Sequence, residues 1–216
     1  MTKVKICGIG SVEHALAAAG AGADFIGLVF APSKRQVDAG RAAEIVKAVK
    51  KLERPPQTVG VFVNLPAIEV ERTAERCGLD RVQLSGDESW DYIRDIALPV
   101  IKAVRVKKGQ SGRDILAELS RGERYMDDDF ICLLDCAVAG SYGGSGRAFD
   151  WAVAREAAQR FRVIVAGGLS PANVSQVIRL AAPWGVDVSS SVESRGRKDI
   201  DKIKAFIDAA RSADEQ

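Results

Sequence analysis

Histidine occurs once in this chain of 216 residues, at His14, so an imidazole-based metal site has no second ring to draw on. Cysteine is scarce as well: Cys7, Cys77, Cys132 and Cys136 have neither the density of a disulfide scaffold nor the histidine partners of a zinc site, and no metal is expected. No apolar run approaches the ~20 residues of a membrane span. The opening MTKVKICGIG lacks the long hydrophobic segment of a secretory signal, which makes the cytoplasm the expected location. An excess of one charge is missing too. The net charge is +2 and both signs are mixed along the chain, which argues against a nucleic-acid surface and against a polybasic membrane patch. With 47% hydrophobic residues and no low-complexity linker, the length suits one substantial core and is short for two. A single domain over residues 1–216 is expected.

What is present is a repeated unit, an apolar strand followed by an amphipathic helix. Eight strands are predicted, at Val4–Cys7, Phe25–Phe30, Thr58–Val63, Arg81–Leu84, Val100–Val104, Phe130–Asp135, Val163–Ala166 and Val186–Ser189. Helical patterns lie between and after them. The first opens at Ser11, and Val37–Lys50, Ile68–Cys77 with Pro66 at its first position, Glu88–Ile96, a short Arg113–Leu119, Asp150–Arg160, Pro171–Leu180 and Lys198–Arg211 follow. Eight such units without a hairpin signal such as Asn-Gly predict parallel strands joined by helical crossovers, an α/β fold of the single-domain (β/α)8 TIM barrel type. The alternative, an open doubly wound sheet, usually carries a glycine-rich dinucleotide turn after its first strand, and Gly8-Ile9-Gly10 lacks the rest of that pattern.

Period-two alternation assigns the strand faces. Lys5 and Cys7 share one face of strand one, Gln83 and Ser85 one face of strand four, and Lys102 lies with Val100 on strand five. Asp135 shares the face of Ile131 and Leu133, and Asp187 that of Ser189. Helices cover the outside of a barrel, so these polar residues are expected to point inward, with Lys5, Lys102, Asp135 and Asp187 balancing in sign. They sit near the C-terminal strand ends, where barrels of this type place their chemistry.

The stretch Arg162–Glu193 holds two apolar strands, each followed at once by small residues, Gly167-Gly168 and Ser189-Ser190-Ser191. Free backbone amides in such turns, beside a helix N-terminus, suit a phosphate dianion, and two adjacent turns can grip one phosphate together. A Gly-Gly pair after a strand also serves plain tight turns.

An ordered set of motifs adds to this reading. K-I-C-G at Lys5–Gly8, G-A-D-F-I-G-L-V-F at Gly22–Phe30, S-K-R at Ser33–Arg35, V-G-V-F-V-N at Val59–Asn64, L-L-D at Leu133–Asp135, Y-G-G-S-G at Tyr142–Gly146, F-D-W at Phe149–Trp151, A-G-G-L-S-P-A-N-V at Ala166–Val174 and V-D-V-S-S at Val186–Ser190 resemble phosphoribosylanthranilate isomerase. The match runs in order from Lys3 to about Phe206, which makes the set far more specific than any one motif. The resemblance implies a cofactor-free Amadori rearrangement in tryptophan synthesis, in which N-(5-phosphoribosyl)anthranilate becomes 1-(2-carboxyphenylamino)-1-deoxyribulose 5-phosphate. It implies Asp135 as general acid and Cys7 as general base, with Arg35 meeting the anthranilate carboxylate and Asp187 positioning the substrate. Gly144 in the loop Tyr142–Gly146 closes over the substrate in this reading, and Gly167, Gly168, Ser189 and Ser190 hold the phosphate. The partner is then a phosphorylated aminosugar, with no nucleic acid or membrane, and the enzyme is a monomer or homodimer.

The implied chemistry makes opposite demands on two side chains. An aspartate starting near ~3.9 must rise by roughly three units to carry a proton at neutral pH. A thiol near ~8.5 needs a smaller downward push from a cation, and Lys5 is the candidate unless Asp187 neutralises it. Two departures from the family pattern stand out: Ser85 where many members carry histidine, and Ser191 where glycine is usual. His14 reads as a surface or packing residue, and Cys77 and Cys132 as small hydrophobes. Competing readings are another ribulose-phosphate barrel, an indole-glycerol-phosphate synthase or an epimerase, and a binding protein without catalysis. Cys7 with Asp135 argues against the synthase, which is expected to rely on strand-end Lys and Glu.

Overall fold

The computed structural model describes residues 1–107, 109–125, 127–136 and 151–215. Eight parallel strands form a closed barrel in chain order: β1 Lys3–Cys7, β2 Phe25–Val29, β3 Gln57–Phe62, β4 Arg81–Leu84, β5 Val100–Val106, β6 Ile131–Cys136, β7 Val163–Ala166 and β8 Gly185–Val188. Closure comes from β1 and β8, paired in parallel from Lys3↔Gly185 to Ile6↔Val188. This is the (β/α)8 barrel that the alternation predicts.

The helices α1 Val12–Gly20, α2 Ala39–Val49, α3 Ala67–Cys77, α4 Gly112–Gly122, α5 Ala152–Ala158, α6 Val174–Ala181 and α7 Ile200–Asp214 surround the barrel. Their starts follow local chemistry. Ser11, Asp38 and Asp199 cap α1, α2 and α7 by accepting backbone N–H groups, and Ser111 and Asp114 form a reciprocal capping box that extends α4 beyond the short helix expected. Pro66 stands one residue outside α3, at its cap position.

Two expectations fail, each for a visible reason. The helix predicted over Glu88–Ile96 is only a 3₁₀ turn at Asp91–Asp95, because Glu88 is committed to the loop before it and accepts hydrogen bonds from the Asn64 and Gly86 amides. Lys198 does not start the last helix. It lies in a small antiparallel hairpin, β9 Glu193–Ser194 with β10 Arg197–Lys198, turned by Arg195 (φ 52°) and Gly196 (φ 77°). Positive φ at both central residues is the type I′ pattern, and arginine at the first of them hides the signal that Asn-Gly would give.

Apolar side chains separate into two layers as alternation requires. Between strands and helices lie Ile6, Leu28, Phe62, Leu84, Val186 and Phe206, all fully buried. Inside the barrel lie Phe25, Val59, Ile101, Ile131, Leu133, Ile164 and Ala166. Each large side chain so buried contributes on the order of 1.5–3 kcal/mol before its ordering entropy is subtracted. The inner cluster fills the lower barrel and leaves the C-terminal strand ends open.

Candidate active site

A cavity at those ends is lined by Cys7, Arg35, Gln83, Arg105, Asp135, Asp187, the Gly167-Gly168 turn and Ser189 to Ser191, among others. Cys7 closes β1, Asp135 is the last residue but one of β6, and Asp187 is the last but one of β8. Side chains far apart in sequence thus reach one space because parallel strands all end on the same face. Gly144 and the rest of Tyr142–Gly146 lie outside the described residues.

Inward polarity follows the predicted faces on β1, β4, β6 and β8, but not on β5. Lys102 points outward, where its ammonium meets Glu88 at 3.3 Å, both side chains being almost fully buried. Ile101 belongs to the inner cluster, and Ala103 and Arg105 line the cavity instead. A buried lysine is tolerated between sheet and helix layer once it has a carboxylate, so polarity alone misassigned this strand.

At the base of the cavity Lys5, fully buried, donates to Asp187 at 2.9 Å. Burial works against the ammonium, but Asp187 and Cys7 outweigh it and hold Lys5 above its usual range. Burial also raises the Asp187 carboxyl, against the pull of Lys5. Two cations, Lys5 and Lys198, act on two acids here, and the Asp187 carboxylate holds the hydrogen bond from Lys5. Burial pushes the Cys7 thiol up rather than down, with Lys5 pulling only partly against it. The downward push expected from Lys5 is present, but burial outweighs it.

Space for this cluster comes from Gly27, paired with Cys7 across β1 and β2. A Cβ on Gly27 would stand 2.9 Å from the Cys7 Sγ and 3.2 Å from the Lys5 Nζ. Sequence reasoning passed over Gly27, although a glycine inside a strand is a signal of close approach.

Gln83, 5% exposed, donates through its amide nitrogen to the Ser85 hydroxyl at 2.9 Å. Its carbonyl oxygen has no hydrogen-bond partner among the described residues. Arg105 donates to the Ser85 carbonyl at 3.1 Å and to Asp87 at 3.2 Å.

The two turns expected to hold phosphate stand side by side, because β7 pairs with β8. Gly167 (φ 85°) and Gly168 (φ 71°) take left-handed conformations in succession, which only glycine adopts without strain. Asn173, just before α6, donates to the Gly168 carbonyl at 3.0 Å and accepts from the Ser170 amide at 2.7 Å. The Ser189 hydroxyl donates to the Cys7 carbonyl at 3.1 Å, which joins the second turn to the end of β1.

Arg35 reaches the same end of the barrel, where its fork meets Glu193 through Nε and through Nη2, the latter at 3.2 Å. Glu193 also accepts from Lys198 at 3.0 Å. Burial opposes the Glu193 charge, yet Arg35 and Lys198 hold its carboxyl below the usual range. Neither Glu193 nor Lys198 carries a spacing that singles it out in sequence. Beyond this ion cluster a second hollow is lined by His14, whose ring accompanies the Ser11 hydroxyl at 2.8 Å at the start of α1.

Comparison with known proteins places this geometry. Residues 4–209 match the family model described as N-(5'phosphoribosyl)anthranilate (PRA) isomerase. The N-(5'-phosphoribosyl)anthranilate isomerase of Dehalococcoides mccartyi is 46% identical over 214 residues, covering 99% of this chain and 98% of the relative. The crystal structure of phosphoribosyl anthranilate isomerase from Thermotoga maritima superposes with a TM-score of 0.85 at 38% identity, covering 98% of this chain and 100% of that one. A crystal structure of the isomerase in complex with reduced 1-(o-carboxyphenylamino)-1-deoxyribulose 5-phosphate superposes with a TM-score of 0.81 at 38% identity over the same shares. With profile, whole-length relative and barrel geometry in agreement, the chain belongs to the N-(5'-phosphoribosyl)anthranilate isomerase family.

Proposed function

We propose that this chain is a phosphoribosylanthranilate isomerase of tryptophan biosynthesis. It converts N-(5-phosphoribosyl)anthranilate to 1-(2-carboxyphenylamino)-1-deoxyribulose 5-phosphate, an internal aldose-to-ketose redox exchange. The observation that carries the reading is that Cys7 and Asp135 line one cavity together with the Gly167-Gly168 and Ser189-Ser190 turns. The matched crystal complex holds a reduced form of this product, whose phosphate and carboxyphenylamino ends ask for the two kinds of grip found here.

Opening the ribose requires a proton on the ring oxygen, and the resulting Schiff base must then lose its C2′ proton to form the enolamine. Asp135 is the proton donor in this scheme and Cys7 the acceptor. They stand on β6 and β1, with β7 and β8 between them, so a sugar lying across the strand ends meets one on each side. Arg35 takes the anthranilate carboxylate, with the guanidinium edge that Glu193 leaves open. Asp187, bound to Lys5, orients the sugar hydroxyls, Gly167, Gly168, Ser189 and Ser190 hold the phosphate, and Gly144, outside the described residues, keeps the substrate-covering role that the resemblance implies.

Complementation tests the proposal directly. Expression in a tryptophan auxotroph lacking this isomerase restores growth without tryptophan, whereas the Cys7→Ser and Asp135→Asn variants do not. Failure of the wild-type chain to restore growth, with soluble protein present, rules the reaction out.

A further inference from the structure

Each of the two turns offered to the phosphate has a side chain behind it. Lys198, its side chain 3% exposed, donates to the Ser189 carbonyl at 2.7 Å and to the Ser189 hydroxyl at 3.4 Å. All peptide bonds described are trans. In a trans peptide the carbonyl and the next N–H point in opposite directions, so drawing the Ser189 carbonyl toward Lys198 turns the N–H of Ser190, a residue that lines the cavity, to the side away from Lys198. Asn173 holds the Gly168 carbonyl in the same manner and so aims the Leu169 N–H.

Lys198 differs from Asn173 in having a second, charged contact. Its ammonium binds Glu193, its cross-strand partner in the β9–β10 hairpin, and Glu193 in turn holds the fork of Arg35. A line of largely buried charges therefore runs from the second phosphate turn to the guanidinium of Arg35, which lines the same cavity. Glu193 is met by Arg35, Lys198 and, from the exposed side at 3.8 Å, Lys34, so three cations to one anion leave a net positive charge for an anionic ligand.

We propose that Lys198 and Glu193 are positioning residues that couple the Ser189–Ser190 turn to Arg35. Lys198 sets the Ser189–Ser190 peptide for a phosphate, and through Glu193 it sets Arg35 for a carboxylate. The assignment of a phosphate to the turn and of a carboxylate to Arg35 rests on the reaction proposed above. The hairpin between β8 and α7 thus has a task in binding, although it supplies no residue that reacts.

Separate titration of inorganic phosphate and of 2-aminobenzoate, followed by shifts in the protein NMR spectrum, tests the coupling. Lys198→Met weakens both probes by about tenfold or more, the scale of one lost charge-assisted hydrogen bond. Glu193→Gln weakens 2-aminobenzoate by a similar factor and leaves phosphate within about twofold, because the Lys198–Ser189 bond survives. Asn173→Ala weakens phosphate alone. In turnover, Lys198→Met raises KM far more than it lowers kcat, and Lys198→Arg restores part of the loss.

A folded Lys198→Met protein that binds both probes as the wild type does overturns the proposal. If that variant does not fold, Glu193→Gln decides, since unchanged 2-aminobenzoate binding removes the coupling. Wild-type protein that binds both probes but shows no turnover overturns the proposed reaction and leaves the coupling standing. Wild-type protein that turns over substrate but binds neither probe overturns the coupling and leaves the reaction standing.

Discussion

Cys7 illustrates how far one residue's chemistry depends on its neighbours' commitments. Its thiol sits beside a lysine, the arrangement that ordinarily makes a thiolate, but that lysine belongs to Asp187 and burial raises the thiol instead. The acid–base sign follows: the proton-accepting form is the minority at neutral pH, and its fraction grows as pH rises toward and beyond the ordinary thiol range. The Cys7 limb of the kcat/KM profile therefore still rises above pH 7, opposed on its alkaline side by loss of the proton that Asp135 must donate, and Cys7→Ser lowers kcat by about 10²-fold or more with KM little changed. Gly27→Ala sets a methyl against the thiol and the Lys5 ammonium; the geometric misplacement costs about 10²-fold in turnover, and the overpacking about 1–3 kcal/mol in urea unfolding. Period-two alternation made Cys7, Asp135 and Asp187 legible in the sequence. Glu193 and Lys198 were not, since what makes them matter is a contact across a hairpin and not a spacing along a strand.

At the level of elements, the strands were readable to within two residues because each is a short apolar run with its turn directly behind it. The segment between β4 and β5 was less so. Its polar residues keep a helical rhythm on paper, but Glu88 caps two amides and pairs with Lys102, leaving too little chain for more than a 3₁₀ turn. Lys102 shows the complementary limit, since a polar residue on a strand can face the helices when a carboxylate waits there. The β9–β10 hairpin escaped notice because Arg195 occupies a left-handed position with φ 52°. Arginine is strained there and asparagine is not, so Arg195→Asn, which makes the turn Asn-Gly, raises stability by about 0.5–1 kcal/mol, measurable as an upward shift in Tm.

Across the whole molecule the barrel is fastened where the chain's two ends approach. Asp24 accepts from the Lys3 ammonium, the Val4 amide and Arg211 of α7, while Arg211 also binds the Thr2 and Gly22 carbonyls. Burial opposes the Asp24 charge, but these donors together hold its carboxyl below the usual range. A carboxylate with a depressed folded-state pKa adds stability above its unfolded value near ~3.9, and that stability is lost as pH falls through the lower folded value. Asp24→Asn lowers unfolding free energy at pH 7 by about 1–2 kcal/mol once solvent screening of the ionic share is allowed for, and the gap to wild type narrows below pH 4. Thr2 completes the clasp, its amide donating to Asp214 at 2.7 Å and its hydroxyl at 2.6 Å. Residues 2 and 214 are thus near enough for a brief peptide to splice them into a circle. New termini opened in an exposed loop on the face away from the strand ends would yield a circular permutant with the same ring of strands, because the barrel's architecture has no privileged starting point.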